Sequence, residues 1–324
     1  MQKNVVKNFP RRGGATIKKQ RLRFYIVWFL PLLIQFCIFY IYLNSKSILL
    51  AFQEYKINSN GIGHTVKFVG FDNIKVAFEF FFSKRAGDMI VNSFIVYSCQ
   101  LLIVTTLALF FSYYIAKKYP CSGLFRFMLY LPTIVSSAVM AILYQYIVTD
   151  VYSTLAFKLT GTAMPGLLDN QATEYGTILF FCLWMGFGGN VMIYTGTMSS
   201  IDNSVVESAQ LDGVNSLQEF WYIYIPLIYP TLVTFIVTGI TGLFSNQMHL
   251  YTFYGHTGSK FGTETFGYYF YRMTASSGVS LYKSSSPLAS YPELSALGLI
   301  ITMILCPITM ITRKLMVKFG PSVD

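Results

Sequence analysis

The sequence has little charge for its length. Only 12% of its 324 residues are Asp, Glu, Lys or Arg, whereas a typical soluble domain carries about 25%. Hydrophobic residues make up 54% of the chain, and the mean hydropathy is +0.50. This shortage of charge excludes an ordinary soluble domain and indicates a chain that places most of its surface in lipid.

Paired cysteines are also lacking. The five cysteines are scattered, with no CxxC pair and no histidine at ligand spacing: Cys37, Cys99, Cys121, Cys182 and Cys306. Most of them fall inside apolar runs, where a thiol behaves as a small hydrophobic group. We therefore predict neither a disulfide nor a metal site.

Six apolar runs reach the length that crosses a bilayer, which is about 20 residues. They cover Phe24–Leu43, Met89–Ala116, Phe127–Val148, Tyr175–Ser199, Tyr222–Asn246 and Leu294–Thr312. Each run is predicted to be helical, because lipid offers the backbone no hydrogen-bond partners. The first run follows a basic stretch and is long enough to stay in the membrane, so we predict no cleavable signal peptide. The expected fold class is an all-α membrane protein with six transmembrane helices.

Basic residues are concentrated beside these runs and set the orientation. The N-terminal flank is basic and has no acid before residue 24, and the other two basic flanks hold Lys117, Lys118, Arg126, Arg313, Lys314 and Lys318. The positive-inside rule places these flanks, and both termini, on the cytoplasmic side of the membrane. Because the basic residues adjoin apolar runs, we predict no nucleic-acid partner despite a net charge of +10.

Ionisable residues are absent from the interiors of the predicted spans. Ion-coupled carriers and pumps usually place such groups at mid-membrane, so their absence argues against that class and against a charged substrate. The spans instead contain neutral polar and aromatic residues: Tyr97, Gln100, Tyr144, Gln145, Trp184, Asn190, Tyr194 and Asn246. These side chains suit hydroxyl groups and sugar rings, but hydrogen bonding between helices is an equally good interpretation.

The loop at residues 201–226, between the fourth and fifth spans, departs from the positive-inside trend. It has no basic residue and four acidic ones: Asp202, Glu207, Asp212 and Glu219. Ser204 and Glu207 have capping-box spacing, which predicts a helix start. Gly213 would end that helix by adopting the left-handed conformation.

A second short helix is predicted to begin at Asn215 or Ser216 and to run into the fifth span at Pro226. The loop is therefore interpreted as a rigid, acidic helix–turn–helix at the cytoplasmic surface. Such a protrusion is suited to docking into a groove of a partner protein.

The spacing within this loop resembles the EAA motif of binding-protein-dependent ABC importer permeases, E-A-A-x3-G-x9-I-x-L-P. The matching residues are Glu207, Ala209, Gly213, Ile223 and Pro226. Two positions depart mildly from the motif, Ser208 from alanine and Ile225 from leucine.

Weaker matches in the right order extend the resemblance to the maltose-type, carbohydrate-importing branch. They lie at residues 68–73, 125–132, 184–187 and 263–272. The resemblance implies a type I ABC importer permease fold and a location in a bacterial cell (inner or plasma) membrane. It divides the chain into a basic segment (1–23), a first helix with an outer segment (24–88), a core permease domain (89–312) and a cytoplasmic tail (313–324). The Ser-rich stretch Met273–Ser290 has no assigned role.

The resemblance also implies partners. Two permease subunits, expected to form a heterodimer, would make the pore, and two ATPase subunits would bind ATP and Mg beneath it. An extracellular solute-binding protein would deliver the substrate, with residues 44–88 and 247–293 as its candidate landing surface. The chain itself has no phosphate-binding loop, so we predict that it is not an enzyme and binds no cofactor.

In relatives, the motif loop couples the permease to the ATPase. Carried over, Glu207 would contact the ATPase and Gly213 would let the coupling helix turn. The remaining coupling candidates are Ser208, Ala209, Asp212, Ile223 and Pro226. The alternative is that Glu207 and Gly213 only begin and end a helix, and both roles are compatible.

Candidate substrate-lining residues follow from their distance to the motif: Gly186, Gly189, Asn190, Leu243, Asn246 and Gln247. Asn and Gln offer both a donor and an acceptor to hydroxyl groups. For the glycines, the alternative role is close helix packing. For the whole set, the alternative is that only the partner permease contacts the substrate.

The predicted function is the pore-forming permease subunit of an ATP-driven importer of a sugar or oligosaccharide. Import of another neutral solute is the first alternative. A membrane-embedded transferase is the second, but it would need clustered Asp, Glu or His at a membrane face. The acidic loop lacks basic and His partners for that chemistry.

Overall fold

The computed structural model describes residues 14–57, 64–247, 249–259, 261–277, 288 and 290–321. Six of its helices are long and apolar enough to cross a membrane: Arg21–Leu50, Lys84–Ala116, Ser137–Thr160, Glu174–Ser199, Ser216–Gly242 and Tyr291–Phe319. The predicted all-α class and the six spans are thereby confirmed.

The chain forms fifteen helices and two strands within the described residues. The first part contains α1 (Gly14–Phe36), α2 (Leu43–Leu50), β1 (Gln53–Ile57), β2 (His64–Phe68), α3 (Asp72–Phe81), α4 (Lys84–Cys99), α5 (Thr106–Ala116) and α6 (Ser122–Ile134). The second part contains α7 (Ser137–Tyr146), α8 (Tyr152–Thr160), α9 (Glu174–Ser199), α10 (Asn203–Leu211), α11 (Ser216–Glu219), α12 (Ile225–Gly242), α13 (Leu250–Tyr254), α14 (Phe266–Ser277) and α15 (Tyr291–Phe319). Four π-helical turns continue adjoining helices at Cys37–Tyr42, Gln100–Thr105, Ile147–Val151 and Phe220–Tyr224.

The third span differs from its predicted bounds. The single helix predicted over Phe127–Val148 is interrupted, because Val135 and Ser136 have extended backbone with ψ of 145° and 128°. Serine favours the position before a helix, and α7 begins directly after Ser136. The long apolar helix of this region is therefore Ser137–Thr160.

The two ends of the bundle are distinct. One end carries the loop at residues 201–226 and is called the loop end. The opposite end, called the hairpin end, carries the antiparallel β1–β2 pair, in which Gln53 faces Phe68. The side chain of Asn73 donates to the carbonyls of Ala51 and Gln53 at 3.0 and 2.9 Å, which fixes α3 to the base of the hairpin. No hairpin was predicted from the sequence.

Three buried clusters hold the helices together. One packs α3, α14 and α15 at the hairpin end, and a second packs α7, α9 and α13 beside it. The third joins α5, α9 and α12 with the loop end. The α5–α9 contact is the most extensive between any two elements. In contrast, the span Arg21–Leu50 is unburied over its most apolar part.

Candidate functional site

The loop at residues 201–226 begins with a capped helix, but the cap is not the predicted one. Asp202 Oδ1 accepts from the backbone N–H of Ser204 at 2.9 Å and caps α10. The same hydrogen bond lowers the pKa of Asp202. The capping box predicted for Ser204 and Glu207 is therefore wrong, because an aspartate two residues earlier occupies the capping position.

The turn after α10 depends on glycine, as predicted. Gly213 has φ of +80°, a conformation that other residues adopt only with strain. Its N–H donates to the Gln210 carbonyl at 3.1 Å. Asn215 then caps α11 in a capping box with Gln218, so Asn215, and not Ser216, begins the second helix.

The surface of this loop is exposed and partly apolar. Leu211 is 89% and Leu217 is 68% exposed, so this acidic loop also presents apolar side chains. Glu207 is also exposed, and its carboxylate makes no hydrogen bond or ion pair within the described part of the chain. Ser208 and Asp212 are exposed beside it. Nothing in the described chain covers this face.

The base of the loop is held in the bundle. Ala209, Ile223 and Pro226 are half-buried, and Glu219 is buried and pairs with Lys117 Nζ at 2.8 Å. We did not predict this ion pair. Two sequence features could have indicated it: Glu219 lies directly before an aromatic run, and Lys117 lies in the basic flank after the second span.

A cavity of about 390 Å³ lies between the spans. It is lined by Ser93, Val96, Tyr97, Gln100, Leu101, Thr105, Asn190, Phe235, Ile236, Thr238, Gly239, Gly242, Leu243, Asn246 and Thr265. None of these side chains is ionisable near neutral pH. The side-chain amides of Gln100 and Asn190 make no hydrogen bond with described residues, so they face the cavity with free donors and acceptors.

A second cavity of about 210 Å³ adjoins the first. Gln100 and Asn246 line both cavities, and Cys182, Met185, Gly186 and His249 complete the second. Burial lowers the pKa of His249, so its imidazole is neutral at physiological pH. The two cavities share Gln100 and Asn246, and neither is lined by Asp, Glu, Lys or Arg. The lining of the first cavity is mainly apolar, with a few amide and hydroxyl groups set into it.

The predicted substrate-lining residues are only partly brought together. Asn190, Leu243 and Asn246 line the first cavity, and Gly186 lines the second. Gly189 and Gln247 line neither.

Packing within the described chain does not require Gly186 or Gly189. A Cβ atom at either position would meet nothing within 4 Å. The neighbouring Gly188 is the packing glycine, because a Cβ atom there would overlap the carbonyl oxygen of Leu129.

A polar cluster at the hairpin end was not predicted. Tyr254 donates a hydrogen bond to Oε1 of buried Glu174, and the nearby carboxylate raises the pKa of Tyr254 further above its burial-shifted value. Ten residues after Tyr254, Glu264 Oε1 pairs with Arg272 Nη1 at 2.7 Å. These buried ionic contacts fix the segment between α12 and α15.

Comparison with known proteins places these features in a family. Residues 108–323 match the family model described as "Binding-protein-dependent transport system inner membrane component". The multiple sugar-binding transport system permease protein MsmF of Streptococcus mutans is 24% identical over 89% of this chain and 93% of its own length. The arabinooligosaccharides transport system permease protein AraP of Bacillus subtilis is 20% identical over 89% of this chain and 87% of its own.

A third relative matches a shorter part of the chain at higher sequence identity. The lactose transport system permease protein LacF of Rhizobium radiobacter is 29% identical over 56% of this chain and 63% of its own length. Among solved structures, a chain of a bacterial ABC transporter involved in the import of the acidic polysaccharide alginate has the same fold. The TM-score is 0.70 at 19% identity, over 94% of this chain and 98% of that chain.

Proposed function

This chain belongs to the family of binding-protein-dependent transport system inner membrane components, and we propose that it is a pore-forming permease subunit of an ATP-driven importer of a neutral sugar or oligosaccharide. The observation that carries the proposal is the combination of an exposed, rigid docking loop with a cavity in the same bundle that has no charged lining residue and presents amide groups. The chain supplies the path, and a separate ATPase supplies the energy.

The docking loop supports the ATPase part of the proposal. Its exposed leucines and the free carboxylate of Glu207 form a surface that a partner can bury. The capped helix and the Gly213 turn keep that surface rigid, so a movement of the partner is transmitted and not absorbed. Glu207, Ser208 and Asp212 are the proposed contacts, and Ala209, Ile223 and Pro226 lie at the base.

The cavity supports a neutral substrate. Amide groups and hydroxyls provide donors and acceptors for sugar hydroxyls, and Tyr97 offers an aromatic edge beside them. No described lining residue carries a positive charge that could neutralise a carboxylate or phosphate. Relatives named for sn-glycerol-3-phosphate transport and the alginate importer handle anions, so we propose that this chain differs from them in substrate charge.

The complete transporter is proposed to contain a second, distinct permease, two ATPase subunits and an extracellular solute-binding protein. One solved relative is an alginate ABC transporter in complex with an oligosaccharide-bound periplasmic protein. We propose that the loop end and both termini face the cytoplasm. In that orientation the hairpin end, with the β1–β2 pair and the Glu264–Arg272 ion pair, faces the binding protein.

A transport assay with a charge-matched panel tests the proposal. The complex, purified with its partner subunits and reconstituted in liposomes, is offered lactose, arabinotriose, sn-glycerol 3-phosphate and an alginate tetrasaccharide with ATP. We expect ATP-dependent uptake of at least one neutral saccharide and no uptake of either anion. Uptake of an anion alone would overturn the proposed substrate class.

The docking role of the loop is tested by Glu207→Lys. The reversed charge leaves α10 intact, because Asp202 and not Glu207 caps it. We expect the variant to insert and to assemble with its partner permease, but to lose about tenfold or more of its substrate-stimulated ATPase activity, the order expected when one side of a charged contact is reversed. Unchanged coupling would contradict the role given to Glu207.

A further inference from the structure

An ion pair is buried where the docking loop meets the second span. Glu219 Oε1 lies 2.8 Å from Lys117 Nζ, and the side chains are 3% and 16% exposed. The other carboxylate oxygen accepts from Gln210 Nε2 at 3.4 Å. One carboxylate therefore contacts both α10 and the end of α5.

Aromatic contacts surround this pair. Tyr113 donates to the Ser216 carbonyl at 3.0 Å, and Tyr119 donates to Ser216 Oγ at 3.2 Å. The rings of Phe110 and Phe220 stack with centroids 4.9 Å apart. The short helix α11 is thus bonded on one face to α5 and to the turn that follows it.

The helix that receives these contacts also lines the cavity. Tyr97, Gln100 and Thr105 face the cavity from the same continuous span, Lys84–Ala116, that ends beside Lys117. From Thr105 to Lys117 the helix rises about 18 Å, at about 1.5 Å per residue. A displacement of α11 therefore reaches the cavity wall along one rigid helix.

A buried ion pair such as Glu219–Lys117 is better suited to positioning two elements than to increasing the stability of the fold. Two buried charges lose solvation, and a hydrophobic pair of similar size usually stabilises a core at least as well. A buried ion pair does, however, penalise every arrangement that separates its charges. It is suited to holding two elements in one register.

We propose that Glu219 and Lys117 are positioning residues that tie the docking loop to the second span, so that the two move as one body when the ATPase moves. The proposal rests on the proposed function. Span five follows the loop through the chain itself, and the ion pair adds span two, which carries a separate part of the cavity wall.

A charge-swap series in the reconstituted complex tests the proposal. The variants are Glu219→Lys, Lys117→Glu and the double reversal, and the readout is saccharide transported per ATP hydrolysed. We expect each single reversal to lower this ratio by about tenfold, the order of coupling between residues of one network, and the double reversal to recover most of it. The control is Lys118→Glu, which makes the same charge change at an exposed neighbour and is expected to leave the ratio unchanged.

A distance measurement keeps the proposal falsifiable if a reversal fails to assemble. Spin labels replace Leu102 on span two and Tyr222 shortly after α11, both of which are exposed, in a background without native cysteines. We expect the same narrow distance distribution in the nucleotide-free and vanadate-trapped complexes. In Glu219→Gln the distribution should broaden or shift between the two states.

The outcomes separate the two proposals. If the unmodified complex does not couple ATP hydrolysis to uptake, the proposed function fails. If it couples normally but both single reversals keep its ratio, or if the labelled distance changes between states in the unmodified loop, only the positioning role is overturned.

Discussion

At the hairpin end, two arginines contact the same carboxylate from different environments. Glu264 pairs with Arg272 at 2.7 Å and with Arg85 at 3.5 Å. The Arg272 side chain is 7% exposed and the Arg85 side chain is 52% exposed. The carboxylate is therefore neutralised mainly by the buried arginine.

We expect Arg272→Gln to destabilise the protein strongly. Removing the buried partner leaves Glu264 beside a solvated arginine only, and breaking such a pair costs about 3–5 kcal/mol. Arg85→Gln is the matched control, because it removes an exposed contact with the same carboxylate and should cost less than about 1 kcal/mol. The measurement is the shift of the thermal unfolding midpoint in detergent. Equal shifts would contradict the assignment of roles.

Residue-scale features were predicted where a single local rule decides them. The Gly213 turn was correctly predicted, and Asn215 was one of two predicted caps, because a left-handed turn and a helix cap depend on neighbouring backbone. The capping box at Ser204 failed because Asp202, two residues earlier, satisfies the same rule. The Glu219–Lys117 pair was not predictable, since its partners lie 102 residues apart.

At the scale of elements, α6 and α9 approach each other closely at one glycine. Gly188 is buried in α9, and Leu129 and Thr133 of α6 fill the space where its side chain would lie. A second contact with α9 comes from α7, where Tyr144 donates a hydrogen bond to the Thr177 carbonyl of α9 at 2.8 Å. The interruption between α6 and α7 therefore lies between these two contacts with α9.

We expect Gly188→Ala to destabilise the bundle by about 1–3 kcal/mol, the usual cost of overpacking. The added methyl group collides with the α6 backbone, which cannot rotate away as a side chain would. Gly196→Ala is the control, because the same substitution in the same helix meets open space and alanine favours helix. Thermal unfolding of both variants in detergent measures the difference. If Gly188→Ala left the unfolding midpoint unchanged, α6 would have to shift away from α9 at no cost, and the close contact would not be a constraint.

The number of spans was predictable from the sequence, whereas their details were not. Hydrophobic runs of bilayer length are set by composition alone, so all six appeared. The interruption of the third span depends on Val135 and Ser136, which are ordinary residues in an apolar run. The β1–β2 hairpin and the cavity need contacts between distant segments, which periodicity does not contain.

At the scale of the whole molecule, charge and function point to the same orientation. The basic flanks holding Lys117 and Lys314 lie at the loop end, together with the exposed docking surface. The hairpin end is joined by its own ion pairs around Glu264. In the orientation proposed above, an ATPase would reach the loop end from the cytoplasm and a solute-binding protein would reach the hairpin end from outside.

Cysteine labelling tests this orientation and the docking surface together. In a background without native cysteines, Leu211→Cys at the loop end and Phe71→Cys at the hairpin end introduce thiols at positions that are 89% and 73% exposed. We expect a membrane-impermeant maleimide to label position 71 in spheroplasts and position 211 only in inside-out vesicles. The opposite pattern would overturn the orientation.

Adding the ATPase subunits to the inside-out vesicles then separates docking from mere exposure. A bound ATPase should protect position 211, because an exposed leucine on a rigid helix becomes buried when a partner groove closes over it. A thiol introduced by Lys314→Cys, exposed at the same end but outside the loop, should remain reactive. Protection of both positions would indicate non-specific coverage, and protection of neither would show that the ATPase docks elsewhere.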